Sequence, residues 1–316
     1  MVILVTGGAG FIGTHLCMAL HVQGHGVYAL DNFSTSVRPS GQPWDILEAN
    51  VEDLNYTSAM FALARTKIDR IYHLACPASP VHYQADPVKT MRTAFIGTMN
   101  VFNLALEHEA RVLIASTSEV YGDPSVHPQP EGYFGNVNPL GPRACYDEGK
   151  RAAESLAWSY ASKHGLDVRI ARIFNTYGPG MNRDDGRLIP NFTSRAMRGE
   201  DLEVYGDGLQ TRSLCYVDDM VSALALLMES GMVNSAEPMN LGNPDERTVL
   251  DIANHVASMF EPRPRVVHRG PLADDPRQRL PDIFKARTLL RWEPTVHYEV
   301  GVRKTVEWFR LNGGMA

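Results

Sequence analysis

Tyr146 and Lys150 stand four residues apart in the run CYDEGK, downstream of the triplet Thr117, Ser118 and Glu119. A phenol has an ordinary pKa of about 10 and is a poor base at neutral pH unless a nearby cation holds its anion. Lys150 supplies that cation if the segment is helical, because positions i and i+4 share a face. Such a base beside a nicotinamide takes the proton of an alcohol while the alcohol's hydride leaves. The Tyr-x-x-x-Lys pattern alone also arises by chance as a plain surface helix pair.

The start of the chain supplies a place for the hydride acceptor. The apolar run VILVT leads into glycines at 7, 10 and 13 and then an amphipathic segment. That order predicts a strand, a turn and a helix whose first backbone N–H groups face a pyrophosphate. The spacing is G-x-x-G-x-x-G and not the general G-x-G-x-x-G fingerprint. Asp31 ends the second predicted strand, 18 residues after Gly13. A carboxylate there accepts from both adenosine ribose hydroxyls and repels a 2'-phosphate, which favours NAD over NADP; an ordinary strand-end turn aspartate is the alternative. The candidate cofactor contacts are Gly7, Gly10, Phe11, Ile12, Gly13, Asp31, Asn32, Ser34, Leu74 and Ala75, with Tyr146 and Lys150.

The elements that must position these residues alternate in type. Apolar runs of strand length at Val2 to Thr6, Val27 to Asp31, Asp45 to Glu48, Arg70 to Leu74, Val112 to Ser116 and Val168 to Ile173 are separated by helix-length segments. The helices begin near Phe11, Tyr56, Pro87 and Cys145, with Pro87 suited to a first helical turn. The pattern is that of an α/β, Rossmann-type doubly wound parallel sheet. After Asn175 prolines break the chain into shorter elements, including helices at Leu188 to Arg198, Val249 to Phe260 and Val300 to Leu311. A helix at Tyr216 to Glu229 suits a return to the first domain. The expected division is residues 1–174 plus about 214–243 as the NAD-binding domain, and 175–213 with 244–316 as a smaller, discontinuous C-terminal substrate-binding domain.

Composition narrows the class. A hydrophobic fraction of 44% and a charged fraction of 21% over 316 residues are those of an ordinary soluble protein. A net charge of -6 argues against nucleic acid as main partner, though not against an anionic substrate met by local arginines. Cys17, Cys76, Cys145 and Cys215 are too scattered for a zinc site and too few for a disulfide framework, so a reducing, cytoplasmic setting is expected. The apolar start runs straight into glycines, and no signal peptide or membrane span is expected. His73, His82 and His127 lack partners at ligand spacing, and no metal is expected. His73 reads as packed core, and the pairs Asp184-Asp185, Asp218-Asp219 and Asp274-Asp275 as turns, caps or ion-pair sites.

Longer stretches are more specific: HLACPASPVHYQADPVKT from His73, STSEVYGDPSVHPQPE from Ser116, NPLGPRACYDEGKRAAE from Asn138, RIFNTYGPGM from Arg172 and DDPRQRLPDI from Asp274. On these the chain resembles the extended short-chain dehydrogenase/reductase family over nearly its whole length, in particular the UDP-glucuronate decarboxylase (UDP-xylose synthase) subgroup. The resemblance implies that Tyr146 takes the proton of a sugar 4-hydroxyl as carbon 4 passes hydride to NAD, that Lys150 holds the phenolate and the nicotinamide ribose, and that Thr117 hydrogen-bonds near the 4-oxygen. The resulting 4-ketone stands β to the carboxylate. Carbon dioxide then leaves an enolate, which is protonated at carbon 5 before NADH reduces the ketone to give UDP-xylose.

Ser118 cannot serve as the acid that sugar 4,6-dehydratases place there, and Ser118 with Glu119 matches the decarboxylase pattern. Three roles stay open for Glu119: aiding protonation of carbon 5 directly or through water, opposing an unreactive pose of the carboxylate, or buttressing the loop. By family position Asn175, Arg187, Tyr205, Gln210, Arg212 and Arg279 hold the nucleotide sugar, arginine forks suiting phosphate oxygens; Arg279 also lies close enough to steer the carboxylate or assist proton transfer. Ala94, Asn50 and an added helix at Asn55 to Lys67 depart from relatives. A UDP-glucuronate 4-epimerase and a nicotinamide-sensing regulator are the rival expectations. Relatives dimerise through helices corresponding to Pro87 to Glu107 and Ala144 to Lys163, so a homodimer is expected.

Overall fold

The computed structural model describes residues 1–56, 66–231, 236–272 and 274–313. In the first half, strands β1 (Val2–Thr6), β2 (Gly26–Asp31), β3 (Asp45–Glu48), β4 (Arg70–His73), β5 (Arg111–Thr117) and β6 (Val168–Ile173) alternate with helices. These are α1 (Phe11–Val22), α2 (Pro80–Ala85), α3 (Pro87–Arg92), α4 (Thr98–His108) and α5 (Ala144–His164). Asp86 caps α3 by accepting from the Lys89 N–H at 2.9 Å, and Pro87 sits in the first turn, where its missing N–H costs nothing. A π turn at Thr93–Gly97 joins α3 to α4, so the expected single helix from Pro87 carries one wider turn. The helix expected near Tyr56 falls largely on 57–65, outside the described residues.

Beyond β6 the chain makes β7 (Thr176–Tyr177), α6 (Leu188–Met197), β8 (Leu202–Tyr205), β9 (Thr211–Ser213) and β10 (Cys215–Tyr216). It then forms α7 (Val217–Glu229) and β11 (Pro238–Leu241), which return to the first half, before β12 (Glu246–Thr248), α8 (Val249–Ala257), β13 (Val266–Arg269) and α9 (Tyr298–Asn312). Paired short strands, β10 with β7, β12 with β9 and β13 with β8, tie the second lobe together.

The main sheet has seven strands in the order β11-β6-β5-β4-β1-β2-β3, and every pairing is parallel. Strand β11 was not expected from sequence, because Pro238 and Asn240 interrupt its apolar pattern. Its position at the sheet edge tolerates a proline. Alternation along β1 sends Ile3 and Val5 to one face, packed by Leu16 and Leu20 of α1 and Leu224 of α7; Leu4 joins Phe102 of α4 and Ala157 of α5 on the other. The first of these cores runs on into Phe192 of α6, Ile252 of α8 and Phe309 of α9. The two lobes therefore share one apolar interior, and the cleft between them lies at the carboxyl ends of the strands.

Candidate active site

A cleft of about 1060 Å³ opens between the lobes. Its floor is the turn after β1. Gly7 has φ +72°, and a Cβ there would lie 2.8 Å from the Ala75 backbone nitrogen. A Cβ on Gly13 would lie 2.1 Å from the Gly7 carbonyl oxygen, so the first turn of α1 packs against the turn in a way only glycine permits. This bare cradle at a helix N-terminus fits a dinucleotide pyrophosphate.

Asp31 reaches back to the same turn, its Oδ2 accepting from the Ala9 N–H at 3.0 Å. Its Oδ1 accepts from the Phe33 N–H at 2.9 Å and the Ser36 hydroxyl at 3.0 Å. A carboxylate has about four acceptor positions, so this stapling leaves capacity for a ribose. Asn32 donates from Nδ2 to Asn50 Oδ1 and accepts from the Ser34 N–H at 3.0 Å. Gly7, Gly10, Phe11, Ile12, Gly13 and Leu74 line the cleft with Thr35, Ser36, Val37 and Pro39, whereas Asp31, Asn32, Ser34 and Ala75 do not line it: Asp31 is buried and Asn32 and Ser34 are exposed.

The sheet's fifth strand and α5 bring the reactive residues together. Thr117 ends β5, and its hydroxyl accepts from the Glu119 N–H at 3.2 Å. Tyr146 and Lys150 share the buried face of α5, with the Lys150 ammonium 5.9 Å from the Tyr146 ring centre and donating to the Ala115 carbonyl at 2.8 Å. Tyr146 is stacked on Tyr83 of α2, centroids 5.0 Å apart and planes at 4°. Burial pushes the Tyr146 phenol well above its ordinary range and the nearby Cys76 adds to this, against a hydrogen bond with Thr117. Burial thus opposes the base role, which the cation on the same helix face must offset.

Arg279 crosses from the second lobe to the triplet. Its guanidinium donates to Ser118 Oγ at 2.9 Å, Glu119 Oε1 at 2.8 Å and the Gly122 carbonyl at 3.1 Å. Arg143 holds the other Glu119 oxygen at 2.6 Å. Burial alone would raise the Glu119 pKa, but the Arg279 and Arg143 charges and hydrogen bonds hold it down at about 2. Glu119 is accordingly an anion clamped between two cations.

The remaining arginines are fixed from within. Arg187 is paired with Asp185 through two hydrogen bonds, the longer 2.7 Å. Arg212 donates to Asp275 at 2.8 Å and to the Thr211 and Pro276 carbonyls at 2.8 and 2.9 Å. Gln210 donates to the Tyr205 carbonyl at 2.8 Å, and the Asn175 carbonyl accepts from the Cys215 N–H at 2.8 Å. All six candidate sugar-nucleotide residues, with Thr117, Glu119, Tyr146 and Lys150, line the cleft; Ser118 lies behind it under Arg279.

Arg143, Tyr83 and Cys76 were not among the expected site residues, whereas the acidic pairs read as turns, caps or ion-pair sites do supply ion-pair partners, Asp185 to Arg187 and Asp275 to Arg212. Arg143 was within reach, because it precedes Tyr146 by three positions and i, i+3 residues are neighbours on a helix. Tyr83 sits on a helix too short for periodicity to show. His73 is buried, its ring between the Thr6 and Thr98 hydroxyls at 2.7 and 3.1 Å, as a packed residue. Among the described residues no cluster of His, Cys, Asp or Glu could hold a metal, and no helix is long and apolar enough to cross a membrane.

Comparison with known proteins bears on this arrangement. The pattern of the NAD-dependent epimerase/dehydratase family matches residues 3–242. UDP-glucuronic acid decarboxylase 3 of Arabidopsis thaliana is 50% identical over 312 residues, covering 98% of this chain and 90% of that protein. UDP-glucuronic acid decarboxylase 1 of Danio rerio is 49% identical over 307 residues, 97% of this chain and 72% of its own. Among solved structures, the complex of MoeE5 with UDP-glucuronic acid and NAD superposes with a TM-score of 0.84 at 27% identity, covering 99% of this chain and 100% of that one. The UDP-glucose 4-epimerase of Thermotoga maritima with UDP-glucose gives 0.91 at 31% identity, 99% of each chain being covered.

Proposed function

The chain belongs to the NAD-dependent epimerase/dehydratase family, and we propose that within it this protein decarboxylates UDP-glucuronate to UDP-xylose, using NAD as a recycled oxidant. The observation that carries the reading is the buried Arg279 guanidinium, held on Ser118 and Glu119 in the cleft that Tyr146 also lines. A fixed, desolvated cation at that point pairs with a uronate carboxylate.

NAD, when bound, supplies the hydride acceptor and later the hydride donor at sugar carbon 4. Tyr146 takes the 4-hydroxyl proton and returns it when the ketone is reduced, with Thr117 beside the same oxygen. Lys150, tethered to Ala115, keeps positive charge on the Tyr146 side of the cleft. Arg187 and Arg212, preset by Asp185 and Asp275, bind the diphosphate with little side-chain entropy left to lose. The Ser118 hydroxyl, already donated to by Arg279, offers no acid for expelling a 6-hydroxyl, which argues against dehydration.

Purified protein with UDP-glucuronate and NAD is expected to release carbon dioxide and a UDP-pentose with no net NADH, read by mass spectrometry. Recovery of UDP-galacturonate of unchanged mass would replace this reading with 4-epimerisation. The four cysteines are free thiols, three of them buried, which supports placing the protein in a reducing compartment such as the cytoplasm. Exposed Val88, Met91 and Phe95 along α3 and its π turn support a homodimer.

A further inference from the structure

We propose that Asp147 is the relay through which the proton consumed in each decarboxylation enters, drawn from solvent along a side cavity and passed to the Glu119 cluster; this rests on the decarboxylase reading. Loss of carbon dioxide breaks the bond between carbon 5 and the carboxyl carbon, and its electron pair becomes a 4-oxygen enolate. Forming the new carbon 5 to hydrogen bond then takes up one proton. Tyr146 does not supply it, because the proton it removes from the 4-hydroxyl returns to the 4-oxygen. Each turnover therefore draws one proton from outside.

The side cavity, of about 180 Å³, has room for a short chain of waters. Asp123, Asn136, Asn138 and Asp274 along it are exposed, while Asp147 is 6% exposed at its inner end. Arg143 and Pro276 line both this cavity and the main cleft, and so form the partition between them. Asp147 Oδ1 is buried with no hydrogen-bond partner among the described residues. Such an oxygen is costly as an anion and suited to carrying a proton.

Burial and then the Glu119 charge push the Asp147 carboxyl up to about 7, Glu148 adding to the rise and Arg143 and Arg279 opposing it. The neighbouring Tyr83 phenol and Cys145 thiol are both raised by burial and stay neutral there. Glu119 and Asp147 thus form a buried carboxyl pair under the same two cations, one ionised and one holding a proton near neutrality. Arg143 links them physically, one helical turn before Asp147 and 2.6 Å from Glu119. A substrate carboxylate that engages Arg279 draws that cation off Glu119 and raises the affinity of Glu119 for the proton held behind it.

The test compares wild type, Asp147→Asn and Asp147→Glu with UDP-glucuronate and NAD across pH 6 to 9, in water and deuterium oxide. Asp147→Asn is expected to lower UDP-pentose formation about tenfold or more, to flatten the fall in rate that wild type shows above pH about 7, and to raise the solvent isotope effect. The first absorbance rise from NADH should stay within about twofold, since hydride loss precedes proton uptake, and Asp147→Glu should restore part of the rate. An Asn variant with wild-type rate, pH profile and isotope effect overturns the relay, as does equal loss of the first NADH rise, which would mark a structural role. Wild type that releases no carbon dioxide sinks the decarboxylase reading and the relay with it; wild-type release with an indifferent Asn variant sinks the relay alone.

Discussion

A phenol buried as Tyr146 is a weaker acid than one in water, and its usefulness depends on what meets it once the cleft fills. Removing the hydroxyl as Tyr146→Phe leaves the stack on Tyr83 and the glycine cradle untouched. We expect NAD affinity unchanged by fluorescence titration and turnover down by about 10²–10⁴-fold; retained turnover would mean the base is misassigned. The two neighbouring carboxyls make opposite demands on pH. The depressed Glu119 pKa of about 2 gives stability that is present above its ordinary value of 4.5 and lost as pH falls from there toward 2. Asp147 favours its protonated form, so its share is complete below its ordinary value of 3.8 and is lost as pH rises through about 7. Asp147→Asn cannot ionise and escapes that loss. Its melting temperature relative to wild type should climb from acid to neutral pH and level off above about 7; a difference that does not change with pH would contradict the raised pKa.

At the scale of elements, the β1–α1 turn is the most constrained part of the site. In Gly13→Ala the new methyl would meet backbone at 2.1 Å, and backbone cannot swing aside as a long side chain can. Overpacking of this kind costs about 1–3 kcal/mol or more, so a lowered melting temperature with NAD affinity lost is expected by scanning calorimetry and titration. An alanine variant that binds NAD normally would show that the helix can back away. This turn was legible in the sequence because its signals are contiguous: an apolar run, three glycines, an amphipathic helix. So was β6, read at its full extent of Val168–Ile173 as an apolar run. Elements that owe their form to distant partners were not. Strand β11 forms against β6, the short β9 and β12 exist only as a pair, and α2 has six residues, too few for a periodic pattern. The Glu119 clamp draws its cations from Arg143 and Arg279, which lie 24 and 160 positions away in sequence. Spacing found the Tyr146-Lys150 pair and resemblance found Arg279; Arg143 lay within reach of helix spacing and Asp275 among the acidic pairs read as ion-pair sites, but their partners, Glu119 and Arg212, could not be read from either.

For the whole molecule, the shared interior running from Leu16 through Leu224 to Phe192 and Phe309 leaves the lobes little freedom to part, and a cleft built this way depends on the stability of its walls. One wall is α5, which carries Tyr146 and Lys150 and packs on α3. The outer side of α3 and its π turn keeps Val88 at 68%, Met91 at 47% and Phe95 at 42% exposed, in the i, i+3, i+7 row of a single helical face. Surface apolar side chains scattered singly need no explanation, but an ordered row beside the catalytic helix suits burial against a second copy. A stable homodimer through this face would bury about 1,200 Å² or more. Sedimentation of wild type at micromolar concentration should give twice the 35.0 kDa chain mass, and the double change Met91→Glu with Phe95→Glu should give the monomer. Because α3 braces α5, the monomer should also melt earlier and turn over more slowly, with NAD affinity less affected than turnover. A wild type that sediments as a monomer would remove the dimer, and a double variant that still dimerises would move the interface to another face.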